Sequence, residues 1–352
     1  MQGVLHKTLV IRLSSVGDIV LSSPLVRALH GRYPDSQIDF LVKEEYADLV
    51  RYNPHLTHVV PFPSGGTPGD ILRLRRLIAA SGYDLIIDIH DSIRSRLLAS
   101  GAAPVTRVNK RKIARALLVY LKIDAYDRWG GAPDVPARYL ETVSDWGVTD
   151  DGGAPEIYFT AAERSRAEAL IAAGGIAPGT RAIGLCPGAR HGNKMWPQER
   201  FTACTAGLAA RHGEMPFLLF GGAEEEGLCA AIVSGLRSAA PGAVTLNLAG
   251  KLSLLETAAA MDRCAVIIAN DTGLMHIAAA RGIPVVAVFG PTVRQFGFFP
   301  RGSRSSVVEH PGLACRPCTH IGLPRCPEGH FRCMNEIGAA RVAAAAEERM
   351  GA

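Results

Sequence analysis

A carboxylate set just beyond a buried strand, among small residues, can take a proton from a hydroxyl held at the strand's end. The stretch TLVIRLSSVGDIVLSSP, residues 8–24, has that form. Leu9 to Leu13 reads as a strand; Ser14, Ser15 and Gly17 follow; Asp18 is the lone acid before an apolar helical pattern carrying Pro24. In open α/β sheets, ligands sit at the carboxyl ends of strands. An aspartate with an ordinary pKa of about 3.9 is ionised at neutral pH and can collect a proton as a hydroxyl begins to bond. The alternative role for Asp18 is to cap the helix after a tight turn.

Three further strand ends in the second half carry polar groups. In AVIIANDTGLMHIAAARGIPVVAVFGPT (265–292), a buried strand ends and Asn270, Asp271, Thr272 and Gly273 open a helix with His276 in its first turn. Asp and Thr are natural N-caps. Capping alone does not require Gly273, whose missing side chain lets a ligand reach the backbone, and a helix N-terminus suits a diphosphate. In GLCPGARHGNKMWPQERF (184–201), Pro187, Gly188 and Ala189 lead into a loop with Arg190, His191 and Lys194. These cations could neutralise phosphate or simply be solvated. In FGGAEEEG (220–227), Glu224 heads the next helix, where it serves the dipole or accepts hydrogen bonds from ribose hydroxyls.

The elements that must position these groups alternate between strand-like and helix-like patterns, which argues for parallel sheets built from βαβ units. Strands are expected near 8–13, 37–42, 57–60, 84–89 and 105–108, then near 182–186, 216–220, 244–248, 265–269 and 284–289. Long helical patterns cover 111–122 and 136–146, and GVTDDGGAPEIYF (147–159) reads as a flexible linker. The chain of 352 residues suits about two domains at roughly 150 residues each. The expected division is an N-terminal Rossmann-like domain over 1–155 and a C-terminal one over 156–334. An Ala-rich helix within 335–352 is expected to pack back on the first domain.

The composition is 48% hydrophobic and 20% charged, ordinary for a globular chain with ample core. The net charge of +5 is too small and too spread to argue for nucleic acid, although it favours an anionic ligand or surface. No secretory signal is visible, since Arg12 interrupts a short opening run, and no stretch reaches the roughly 20 apolar residues of a membrane span. A cytoplasmic chain is expected. All eight cysteines lie in the second half, and Cys186, Cys204, Cys229 and Cys264 read as buried thiols.

RLSSVGDIVLSSPLVRAL, PGARHGNKMWPQERF and NDTGLMHIAAARGIPVVAVFGPT together resemble, in order and over nearly the whole chain, the ADP-heptose:lipopolysaccharide heptosyltransferases, glycosyltransferase family 9. The resemblance implies a GT-B architecture: two doubly wound Rossmann-like domains facing a central cleft, acceptor on the first, nucleotide sugar on the second. It implies an inverting transfer of heptose from ADP-heptose to the lipopolysaccharide inner core, on Kdo-lipid A or a heptosyl acceptor, with no metal and no cofactor. Asp18 would be the general base and Lys194 the catalytic cation at the leaving ADP. The donor site would comprise Gly188, Arg190, Lys194, Glu224, Leu252, Asp271, Thr272, Gly273 and His276, with Leu252 against the adenine. Ser15 and Gly17 would stand on the acceptor side.

From Arg94 to Lys122 there are eight basic residues and no acid. KRKIARALLVYLKI (110–123) mixes cations with leucines at helical spacing, as a helix for an anionic membrane surface would, or a domain helix with a solvated face. Lys110, Arg111 and Lys112 are assigned to the acceptor, and the protein is expected on the cytoplasmic face of the inner membrane. CRPCTHIGLPRCPEGHFRC (315–333) contains one zinc-like pair, but Cys326 and Cys333 are too widely spaced for a ribbon. Similar loops are common in the family, and some protein-modifying relatives bind a metal through four cysteines. A structural loop, reduced or disulfide-clipped, is expected here. The rivals include a family transferase for another nucleotide sugar or acceptor, a non-catalytic sugar-nucleotide-binding module, and a dinucleotide oxidoreductase. The last lacks a glycine fingerprint after the first strand. A nucleic-acid binder ranks last, because the basic stretch has no interleaved aromatics beyond Tyr120.

Overall fold

The computed structural model describes residues 4–302 and 304–351. The chain forms two compact units. The first takes the chain up to Lys110 and Pro133–Tyr158; the second takes Arg111–Ala132 and the chain from Phe159 onward.

The first unit holds β1 (Lys7–Ile11), β2 (Gln37–Lys43), β3 (His58–Phe62), β4 (Leu85–Asp88) and β5 (Val105–Arg107). All pair in parallel, in the order β3-β2-β1-β4-β5. All four β4 residues are buried, as expected of a strand covered on both faces. Leu9, Ile11, Leu41, Phe62, Leu74, Ile78 and Ile86 form the core on one side of the sheet.

The second unit holds β6 (Ala182–Cys186), β7 (Phe217–Leu219), β8 (Thr245–Asn247), β9 (Cys264–Asn270), β10 (Val285–Phe289) and β11 (Ser305–Glu309). These are also all parallel, in the order β11-β10-β9-β6-β7-β8. Each sheet therefore reverses its winding once, between β1 and β4 in the first and between β6 and β9 in the second. Outside the carboxyl ends of strands at such a switch point, the diverging loops leave a crevice for ligands.

Local chemistry sets several helix starts. Thr67 with Asp70, Thr160 with Glu163 and Ser253 with Glu256 form capping boxes, each satisfying backbone donors reciprocally.

The expected elements recur with boundaries shifted by a residue or two, and four features differ. Strand β11 lay outside the expectation because SSVVE has only two apolar residues. The stretch 111–122 splits into a helix over Lys112–Ala116 and a π turn over Leu117–Leu121, ending at Lys122 in the left-handed region (φ 59°). This stretch belongs to the second unit, not the first: Ala114, Leu118 and Val119 bury against Tyr126 and Phe296. Lys122 Nζ also bonds the carbonyls of Cys315 and Pro317. The helix Ala339–Met350, expected on the first unit, belongs to the second. Val342, Ala343 and Ala346 enter the second unit's core, against the Gln198–Arg211 helix and β9, β10 and β11. Finally, the Gly- and Asp-rich stretch before Phe159 is irregular yet pinned. Arg27 pairs with Asp151 and bonds the Ala154 carbonyl, and Ser23 accepts from the Glu156 N–H.

Candidate functional site

Each switch point carries an aspartate. In the first unit the chain leaves β1 through Ser14 and Ser15 into the short helix Val16–Val20, which puts Asp18 in its first turn. The Ser15 side chain accepts no backbone N–H of this helix, so Asp18, its third residue, is not part of a complete capping box. Its carboxylate is instead the centre of a buried polar cluster. Arg12 Nη2 lies 2.6 Å from Oδ2, and the Ser15 hydroxyl donates to the same oxygen at 3.1 Å. The Tyr139 hydroxyl donates to Oδ1 at 3.2 Å. Arg12 is held in turn, because its Nη1 donates to the Ile89 carbonyl beyond β4 at 2.7 Å. Burial pushes the Asp18 carboxyl up, but Arg12 and Ser15 outweigh it and leave the group below the usual carboxylate value. Burial also pushes the Tyr139 hydroxyl up, so it stays a donor. The arrangement is an ionised carboxylate with an oriented acceptor oxygen, which is what a general base requires.

The loop after β4 borders this cluster. His90 is pushed down to about 3 by burial and by Arg12 and Lys110, so it is neutral. Lys110 Nζ bonds the carbonyls of His90 and Asp91, bracing that loop. Arg111 is buried in the second unit with its guanidinium beside Gly130, where a Cβ would come within 3.1 Å of Nη2. The expected acceptor triplet is therefore divided: Lys110 braces backbone, Arg111 is buried, and Lys112 is the exposed member. Ser15 lies at the site, and Gly17 is buried beside it.

In the second unit, Asn270 closes β9 and fastens the loop after β6. Its Oδ1 accepts from the Trp196 N–H at 3.0 Å, and its Nδ2 donates to the Pro187 carbonyl at 2.6 Å. That fastening brings Lys194, on the 3-10 turn Gly192–Lys194, to Asp271 at 2.7 Å. Thr292 also donates to Asp271 at 2.7 Å. With Asp271 so engaged, the helix Gly273–Ala280 starts at Thr272 in extended conformation with no side-chain cap. Unlike the three capping boxes, this N-terminus keeps its backbone donors for something else. His276 is buried, with its ring 6.4 Å from that of Phe298. Arg190 is exposed and Leu252 half-buried.

Gly188 is buried against Glu225, where a Cβ would come within 2.4 Å of that side chain's Cγ. Glu225 also caps Gly222 at 2.6 Å, while Glu224 is exposed. The cysteine-rich loop buttresses the Lys194 loop: Asn193 exchanges hydrogen bonds with Leu323, and a Cβ on Gly192 would strike the Pro324 carbonyl. All eight cysteines are free thiols, and among the described residues no group of three or more His, Cys, Asp or Glu is placed to hold a metal ion.

Sequence reasoning passed over Arg12, Tyr139, Asn270's two-way fastening, Thr292 and Glu225. Arg12 left a signal, a cation inside an otherwise apolar strand. Tyr139, 121 residues from its partner, left none.

Two Rossmann-like units, each with a charged cluster at its switch point and the second with an uncapped helix start beside a lysine, define a glycosyltransferase of GT-B type. The family model "Glycosyltransferase family 9 (heptosyltransferase)" matches residues 71–325. The lipopolysaccharide heptosyltransferase 2 of Salmonella typhimurium is 30% identical over 302 residues, covering 82% of this chain and 84% of that protein. Among solved structures, a family 9 glycosyltransferase from Veillonella parvula superposes with a TM-score of 0.80 at 22% identity, covering 98% of this chain and 97% of that one. The E. coli ADP-heptose lps heptosyltransferase II gives 0.72 at 24%, covering 98% of each. The chain belongs to glycosyltransferase family 9 and is a glycosyltransferase.

Proposed function

We propose that this enzyme transfers a heptose from ADP-heptose to the lipopolysaccharide inner core, with inversion at the anomeric carbon and without a metal ion. Both substrates are those in the names of its relatives. The observation that carries the reading is the second unit's switch point, where the helix at Gly273 starts uncapped beside Lys194. A diphosphate there meets backbone N–H groups, the helix dipole and the Lys194 ammonium, with Arg190 able to reach it from the loop. Glu224 takes the ribose, Leu252 the adenine, and Gly188 and His276 line the donor side. Asp18 accepts the proton of the acceptor hydroxyl as its oxygen bonds to the anomeric carbon. The bond from that carbon to the diphosphate breaks, and ADP leaves with the electron pair.

The acceptor is borne by lipid, and we place the enzyme on the cytoplasmic face of the inner membrane. Ile113, Tyr120, Leu121 and Ile123 are exposed on one stretch of the second unit, next to exposed Lys112. Apolar side chains framed by cations favour an anionic leaflet. No helix of the described residues is long and apolar enough to cross a membrane.

The test is transfer from ADP-heptose to truncated lipopolysaccharide acceptors by wild type and Asp18→Ala. Loss of about 10²- to 10⁴-fold in kcat with retained ADP binding is expected of a missing general base. Unchanged turnover removes Asp18 from the chemistry, and absence of transfer by wild type to every acceptor favours another donor or a binding module.

A further inference from the structure

The two oxygens of Asp18 are not equivalent, and the difference is built by Arg12, Ser15 and Tyr139. Oδ2 takes the Arg12 guanidinium at 2.6 Å and the Ser15 hydroxyl at 3.1 Å. Oδ1 accepts, among the described residues, the Tyr139 hydroxyl at 3.2 Å. Arg12 is an inward-facing cation, 8% exposed, whose second nitrogen is committed to the Ile89 carbonyl. A guanidinium gripping a backbone carbonyl with one arm and a carboxylate with the other fixes direction as well as charge, which a lysine's point charge does not. Its carbon also lies 5.7 Å from the centre of the Tyr139 ring, so strand β1 and the Val135–Leu140 helix hold the same carboxylate from two sides.

We infer that Arg12 is a positioning residue for the transfer reaction: it locks Oδ2 of Asp18, leaves Oδ1 as the oxygen that takes the acceptor's proton, and Tyr139 aims that oxygen. This rests on the reading of Asp18 as the base. The charged and titratable groups around the carboxylate are Arg12, Tyr139 and neutral His90, with Arg138 beside Tyr139, Asp88 near Arg12 and Lys110 near His90. Among these, Arg12 is the cation in direct contact with the carboxylate. Its presence means that Asp18 sheds its proton well below neutrality, so activity persists into mildly acid solution. Without it, a buried carboxylate holds its proton to higher pH.

The experiment measures kcat and kcat/KM for ADP-heptose with a truncated lipopolysaccharide acceptor from pH 4.5 to 8.5, and ADP affinity by calorimetry. Wild type, Arg12→Met, Arg12→Lys, Tyr139→Phe and Asp18→Asn are compared. For Arg12→Met, kcat is expected to fall about 10²-fold, as for a misplaced reacting group. Its acid limb is expected to move upward into the measured range, because the buried carboxylate has lost its cation. ADP affinity is expected to stay unchanged. Arg12→Lys is expected to restore the low acid limb but only part of kcat. Tyr139→Phe, which deletes one oxygen, is expected to move the limb upward by less than Arg12→Met does.

An acid limb unmoved in Arg12→Met overturns the inference. If that variant does not fold, an unmoved limb together with unchanged kcat in Tyr139→Phe and Arg12→Lys overturns it. Turnover retained by Asp18→Asn also overturns it, and does so by removing the base itself. An inactive Asp18→Asn with an unmoved limb rejects the role of Arg12 alone.

Discussion

The two switch points present the same pairing with opposite mechanical character. Asp18 and Asp271 each follow a strand end, each opens a helix, and each lies within 2.7 Å of a cation. Arg12 is part of the sheet's own run, buried, forked and tied to a carbonyl. Lys194 hangs from a 3-10 turn on a flexible four-carbon stem. In the proposed mechanism the first cation is fixed so that the carboxylate can act as base. On the second side the carboxylate, which accepts from Thr292, would hold the cation for an arriving anion. Proton transfer and charge neutralisation would then be divided between the two pairs.

Replacing the lysine tests this most severely. Lys194→Met should weaken ADP binding about 10- to 100-fold, the range expected when a charge-assisted hydrogen bond of about 1.5–3 kcal/mol is lost. The acid limb of the pH profile should stay where it is, because Asp18 is untouched. Titration calorimetry with ADP reads the first effect and turnover against pH the second. If Lys194→Met moved the acid limb, the division of labour between the two pairs would fail.

Asp271→Asn should do less. The amide still accepts the Thr292 hydrogen bond, but it no longer holds Lys194 by charge, so ADP affinity should fall about three- to tenfold. A loss equal to that of Lys194→Met would mean that the carboxylate contributes to the anion site as much as the lysine does. A gain would mean that Asp271 mainly competes with the phosphate. Donor KM should carry most of the change, and kcat little.

How much of this could be read beforehand follows the range of the interactions. Apolar runs such as Leu85–Ile89 and Val285–Phe289 declare buried parallel strands from local pattern alone, and both sheets followed from them. Asp18, Lys194 and Asp271 were legible because strand end, small residues and polar group are contiguous. Partnerships across distance were not. Tyr139 reaches Asp18 from a helix more than a hundred residues on, and nothing in VPARYL marks it. Within the run Glu224-Glu225-Glu226, no local rule says that Glu225 turns back to cap Gly222 and fill the space beside Gly188. The placement of 111–132 failed for a related reason. The helical pattern was right, but Ala114, Leu118 and Val119 find their partner in Phe296, a choice set by tertiary packing and invisible to periodicity.

The smallest effect expected is none at all, and it bears directly on the comparison. If the leaving diphosphate is met by Lys194, Arg190 and the backbone donors at Gly273, exhaustive EDTA treatment should leave the rate of transfer unchanged, and added Mg²⁺ should not raise it. The physical ground is that a helix N-terminus and an ammonium together already supply positive charge where it develops, in a site where Asp271 can release the lysine as the phosphate arrives. Rate against chelator concentration at saturating donor isolates the point from donor binding. A transfer that stops on chelation and returns with a divalent ion would assign the leaving-group charge to a metal. The pairing of Lys194 with Asp271 would then need another explanation than the one drawn from its contrast with Arg12.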